Sequence, residues 1–278
     1  MARLPGIRLF DHLGNEISPA PVASSQPPVV WREPPSSPPC PVLHVGDVAI
    51  LSGAPGIGRR WLALELAGAA AVAESGPGQA CGLTVRAGRS MVVDFGASPD
   101  WLIGWFDAMG LSEAAQRIGV WSDPAPIFNS YSAGPDGEWQ PIFQKIREFQ
   151  PSLVIINGLA DAIAELSAWD GLTPWGVLNV MHGEARSGEF AILIVADDSK
   201  AARSPSTGHP GAAAVAGNRG WFDAAQTVLH MRGDGKRRTV ECVKADFGSA
   251  GWRLDLVERS GTAGYVGFEL VPEPGAGE

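Results

Sequence analysis

The segment 53-GAPGIGRR-60 constrains this chain more than any other. It lies between a short apolar run, Val48-Ala49-Ile50-Leu51, and a proline-free stretch rich in alanine and leucine, 61-WLALELAGAAAVA-73. The first reads as a buried strand and the second as a buried helix. Glycines at 53, 56 and 58 let the backbone take conformations closed to other residues and approach an anion closely. A glycine turn from strand into helix points several backbone N–H groups at one place, where the helix end adds positive potential. Gly53, Ala54, Pro55, Gly56, Ile57, Gly58, Arg59 and Arg60 are therefore the candidate phosphate cradle.

The cradle departs from the usual G-x-x-x-x-G-K-[ST] spacing at its last two positions. Arg59 stands where a lysine is expected and Arg60 where a hydroxyl is expected. A guanidinium is larger, planar and differently aimed than an ammonium. The absent hydroxyl is the group that ordinarily holds Mg²⁺. Two guanidiniums at the positive end of a helix repel it unless an anion is present. ATP or ADP is thus the expected ligand, with Mg²⁺ doubtful and no metal site assigned.

Composition narrows the setting. With 278 residues, 45% of them hydrophobic, the chain can bury one sizeable α/β core. A net charge of −9 excludes a protein that coats duplex DNA through bulk charge, but leaves a local nucleic-acid contact open. Cys40, Cys81 and Cys242 have no metal or disulfide spacing, as in reduced cytoplasmic proteins. No stretch has the length of a membrane span, so no membrane partner is expected.

Residues 1–41 hold ten of the 23 prolines and read as an extended, flexible arm. Residues 42–260 form the main domain, and 261–278 a last strand and short tail. Within the domain, 91-MVVDF-95, 153-LVIIN-157 and 190-FAILIVA-196 are apolar enough for parallel strands buried on both faces. Helices are expected over 99–110, with Pro99 in the first turn and Gly110 as C-cap, and over 141–150. The pattern predicts a doubly wound, mainly parallel sheet. After a glycine- and serine-rich loop over 201–220, the runs 227–231, 238–243 and 252–258 read as antiparallel strands.

The order of 45-VGDVAILSGAPGIG-58, 91-MVVDFGASPDWL-102, 153-LVIINGLADAI-163, 192-ILIVADDSK-200 and 244-KADFG-248 resembles the RecA-like P-loop NTPases of the plasmid RepA helicase type, over roughly residues 43–258. That resemblance implies an AAA-family ATPase fold, a ring or other homo-oligomer (or a hetero-oligomer with a related ATPase), and work on nucleic acid. It also implies catalytic positions that are degenerate here. Gly96 stands where such proteins place the water-polarising glutamate, and Asn157 where they place the metal-holding aspartate. Asp197 and Lys200 fall at the sensor, and Lys244 at the inter-subunit lysine, with Asp246 in place of its arginine.

Positioning and electrostatics carry nearly all of phosphoryl transfer, and one lost group commonly costs about 3–4 kcal/mol of barrier. Four coincident losses, at Arg59, Arg60, Gly96 and Asn157, predict a pseudo-ATPase serving as a regulatory or assembly subunit in DNA replication or recombination. Two alternatives stay open. One is a working ATPase with relocated groups (Asp94, Asp161 or Asp197), and the other a nucleotide-free partner of an active paralogue. Elsewhere, His182, His209 and His230 lack metal-ligand spacing. Trp101, Trp105, Trp169, Trp175 and Trp221 read as packing residues before base-stacking ones. The basic turn 232-RGDGKRR-238 reads as a solvated hairpin tip.

Overall fold

A computed structural model of the chain describes residues 9–10, 16–17, 28–32, 40–73, 76–109, 111, 116–122, 139–158, 162, 173–198, 215, 219–246, 250–260 and 266–271. Gly110, Asp161, Trp169, Lys200, His209 and most of 201–220 lie outside them. The strands are β1 (Leu9–Phe10), β2 (Glu16–Ile17), β3 (Val30–Arg32), β4 (Cys40–Leu43), β5 (Val48–Gly53), β6 (Gly78–Ala80), β7 (Leu83–Val85), β8 (Ser90–Asp94), β9 (Ile118–Trp121), β10 (Leu153–Asn157), β11 (Ala191–Asp197), β12 (Thr227–Asp234), β13 (Arg237–Ala245), β14 (Arg253–Ser260) and β15 (Val266–Leu270). The helices are α1 (Arg59–Val72), α2 (Pro99–Ala108), α3 (Trp139–Phe149), α4 (Pro174–Ser187) and α5 (Gly220–Ala224).

Nine strands form one sheet in the order β15-β14-β13-β12-β5-β11-β10-β8-β9. From β12 to β9 every pairing is parallel, and from β12 outward to β15 every pairing is antiparallel. Strand β12 therefore belongs to both regions, where the sequence pattern placed it only with the antiparallel group. The central strands carry no polar face because both sides are covered. Along β5, Ala49 and Leu51 enter the core shared with α1 and α2, while Val48 and Ile50 enter the core shared with α3, α4 and α5. The sheet is doubly wound.

A second, antiparallel sheet, β4-β3-β7-β6, packs on the α1 face. Part of the segment expected as a flexible arm builds it: β3 belongs to residues 1–41, and Val29 and Val30 are buried. Burying a valine stabilises by roughly 1.5–3 kcal/mol, which offsets the ~1–2 kcal/mol cost of fixing its backbone. Proline density alone does not report that gain.

Helix α2 begins as expected, with Pro99 in its first turn and the Ser98 hydroxyl accepting from Trp101 N at 3.3 Å. Strand β15 returns to α1. The buried Glu65 carboxylate accepts from Phe268 N at 2.9 Å and from the Cys81 thiol, whose pKa burial and this carboxylate push well above the usual range. Among the described residues no helix is long and apolar enough to cross a membrane.

Candidate phosphate-binding site

The chain passes from β5 out to β8 and β9, returns through β10 and β11, and crosses over β5 to β12. The carboxyl ends of β5, β8, β10 and β11 consequently converge, which is where open α/β sheets place ligands. Register fixes the alignment: Asn157 pairs with Asp94, and Asp197 with Gly53.

The glycine loop bridges β5 to α1. Gly56 (φ 77°) and Gly58 (φ 104°) sit in the left-handed region, and a Cβ on Gly58 would strike the Phe268 ring. No side chain caps α1, so its first turn opens towards the cavity with Leu62 N→Gly58 O (3.1 Å) as an early helical bond. The loop is braced from behind. Asp198 N donates to Gly53 O at 2.9 Å, and Arg238 Nε donates to Ile57 O at 2.8 Å. Arg238 also pairs with Glu258 at 3.1 Å and is buried. The expectation of a solvated tip over 232–238 therefore does not hold for Arg238, because the loop carbonyl and Glu258 satisfy its charge inside the protein.

Both cradle arginines are turned onto carboxylates of the chain itself. Arg59 donates to Ala196 O and pairs with Asp197 at the end of β11. Arg60 Nε lies 3.3 Å from Asp94 Oδ2 at the end of β8, and its guanidinium carbon lies 5.5 Å from the Trp101 ring centroid. Asp94 has no accessible surface. Its Oδ2 also accepts from Asn157 Nδ2 at 2.6 Å, and its Oδ1 accepts from Gly96 N at 2.8 Å. The two positions read as catalytic losses, Gly96 and Asn157, thus both serve to hold Asp94. Asp94 stands two residues before the position of the expected glutamate, and its burial and its place opposite Asn157 follow from the register.

These residues do not fit a Mg²⁺ ion. A small hard cation needs available oxygens in an octahedral set. Here the buried carboxylate is already occupied by a guanidinium, an amide and a backbone N–H. Among the described residues no cluster of three or more His, Cys, Asp or Glu could hold a metal.

Loop, arginines, Trp61, Trp101 and Asn157 line one cavity of about 350 Å³. Lys244 stands apart from it, its ammonium donating to Asp223 O (2.8 Å) and Ala225 O (2.5 Å) at the end of α5 and lying 3.5 Å from Asp246. Behind the loop, His230 Nε2 lies 3.5 Å from Asp198. Burial lowers the pKa of His230 despite that neighbour, and also lowers that of His182, which contacts Gly46 O at 3.0 Å.

A parallel sheet with helices on both faces, a glycine loop between its central strand and α1, and an antiparallel extension define a RecA-like P-loop ATPase fold. Solved structures agree: 286 chains match, so the fold is a populous one and its possession alone assigns no activity. One of them, described as an ATPase domain, superimposes with a TM-score of 0.57 at 12% identity, covering 81% of this chain and 85% of that one. No family model matches the sequence, and no curated protein matches it.

Proposed function

We propose that this chain is a degenerate RecA-like P-loop protein that binds a nucleoside phosphate such as ATP or ADP weakly and without divalent metal. In this reading it does not hydrolyse the ligand. It acts as a regulatory or assembly subunit, within an oligomer, in the RepA-like setting of DNA replication or recombination that its sequence motifs resemble.

One observation carries the reading: the Arg60 guanidinium, at the start of α1, lies against Asp94 at the end of β8, which Asn157 at the end of β10 also holds. A fixed cation there supplies positive charge without a metal, while the acidic group that would orient a water is absent at Gly96. Asp94 is buried and bonded on both oxygens, and Asp197 is engaged by Arg59, so neither is placed to substitute. The α1 amides, Arg59 and Arg60 would hold the phosphates.

Calorimetry with ATP and ADP, with Mg²⁺ and with EDTA, tests this beside a phosphate-release assay. The expected result is binding that survives EDTA and no turnover with or without single-stranded nucleic acid. Strict Mg²⁺ dependence, or nucleic-acid-stimulated release abolished by Arg59→Ala, overturns it. A second reading, a nucleotide-free structural partner, is favoured by the pairing of both guanidiniums with internal carboxylates. Absence of any nucleotide binding, with co-purification of another P-loop protein, selects that one.

A further inference from the structure

A cavity of about 490 Å³, larger than the one at the glycine loop, lies between the second half of α1, strand β6 with its turn, and β15. None of residues 53–60 lines it. Two glycines shape it. A Cβ on Gly68 would strike the Leu111 side chain and one on Gly78 the Ala69 carbonyl, so the chain after α2 and strand β6 both close tightly on α1. In the space between, α1 presents Ala69 and Ala73, side chains too short to fill it. Its volume is in the size range of small-molecule sites.

The walls are apolar, with Ala69, Val72, Met109, Leu111 and Phe268 among them, but one lining residue is a carboxylate. Glu65 faces this space from within α1 and is only 6% exposed. Glutamate is seldom buried so deeply unless its charge is balanced. The Phe268 amide and the Cys81 thiol that donate to it are both neutral, and a carboxylate has about four acceptor sites to offer. Cys81 reaches it from a costly position: with Gly82 it makes the β6–β7 turn in the left-handed region, at φ 53° and 77°, which cysteine rarely occupies. Arg259 also lines the cavity, but it pairs with Glu269 at 3.4 Å and both side chains are more than half exposed. That guanidinium is a weak anchor for an anion, because its charge is matched and screened by water. The desolvated Glu65 is a far stronger anchor for a cation.

We propose that this cavity binds a small organic cation, a primary ammonium carried on a short apolar body. The ammonium donates to Glu65, and the body lies against Met109, Leu111 and Phe268. The site stands whether or not the glycine loop holds a nucleotide, since the two cavities share no lining residue.

Three probes with one carbon skeleton test this: hexylamine, hexanol and hexanoate, titrated by calorimetry into the full chain at neutral pH, with the amide NMR shifts of Ala69 and Phe268 placing the binding. A hydrogen bond to a charged group predicts that hexylamine binds about tenfold or more tightly than hexanol, with hexanoate weakest. Glu65→Gln keeps an acceptor for the Phe268 N–H while removing the charge, and should bring hexylamine down to the level of hexanol. Ala69→Leu and Val72→Trp fill the cavity and should abolish binding of all three probes; Val72 is half-exposed, so the larger ring is accommodated without unfolding. Should Glu65→Gln fail to fold, the probe series and the two filled variants decide. Equal binding of hexylamine and hexanol makes the cavity a plain apolar pocket and overturns the proposal, as does hexanoate binding tightest, which would put an anion on Arg259. Hexylamine binding unchanged in both filled variants assigns it to the acidic surface of a chain of net charge −9 and removes the site. No binding of any probe overturns it outright.

Discussion

The guanidinium of Arg60 lies 3.3 Å from Oδ2 of Asp94, a carboxylate with no accessible surface. Removing one partner of such a pair leaves a buried charge short of its counter-charge, which costs far more than the pair contributes. Arg60 is 35% exposed and Asp94 keeps its bonds from Asn157 and Gly96, so the cost is discounted. Arg60→Ala is expected to destabilise by about 1–3 kcal/mol in urea unfolding. Asp94→Asn in the same protein is expected to recover much of this, with a coupling of about 1 kcal/mol in a double-mutant cycle. Strictly additive effects would show that the two groups do not communicate.

Asp197 competes with any incoming anion for Arg59. The aspartate is 53% exposed, which puts the pair in the range of about 0–1 kcal/mol typical of solvent-exposed ion pairs. Asp197→Asn is therefore expected to tighten ATP or tripolyphosphate binding by roughly two- to fivefold at low salt, an advantage that fades as salt rises. Unchanged affinity across the salt series contradicts this.

Arg238 fixes the loop from behind through Ile57 O and is itself fixed by Glu258. Arg238→Ala removes a charged donor from a half-buried carbonyl and takes from Glu258 its arginine partner, a loss of roughly 1–3 kcal/mol. Lysine cannot supply both bonds in a fixed fork, so Arg238→Lys should restore little. Thermal and urea unfolding of both variants decide it.

His182 and His230 have pKa values lowered by burial from the ordinary 6.5. The unfolded chain then binds more protons than the folded one as pH falls through 6.5, so stability rises with pH across that window and levels off above it. Urea midpoints should fall between pH 7.5 and pH 5.5. His230→Gln, which cannot take up a proton, should flatten part of that fall. A flat profile in the parent would mean that neither imidazole resists protonation.

Strands whose residues are apolar throughout announced themselves: Leu153–Asn157 and Ala191–Asp197 lie where the sequence put them, because a run without a polar face has only the sheet centre to occupy. The cradle was legible for a similar reason, its glycines being demanded by backbone angles. The small sheet was not. Leu83–Val85 and Gly78–Ala80 span three residues each, too short for a periodicity to register, and the sheet is joined to the N-terminal segment by the distant pairing of Val30 with Val85. Asp94 was legible as an acidic candidate but its role was not, because spacing counts positions along one strand, while its partners Arg60 and Asn157 come from two other elements. Arg238 was hidden in a basic run, where only the alternation of a strand separates an inward side chain from its exposed neighbours.

Phe268 rests against Gly58, and its backbone N–H is held by Glu65 across 203 positions of chain. On a ribosome the glycine loop and α1 emerge long before β15 exists. Until that strand arrives, Glu65 has no amide to receive and Gly58 has no ring above it. Completion of the glycine loop's surroundings is thus timed by the far end of the sequence, and a nascent chain halted before β15 should carry a loop that has not yet settled into its folded shape.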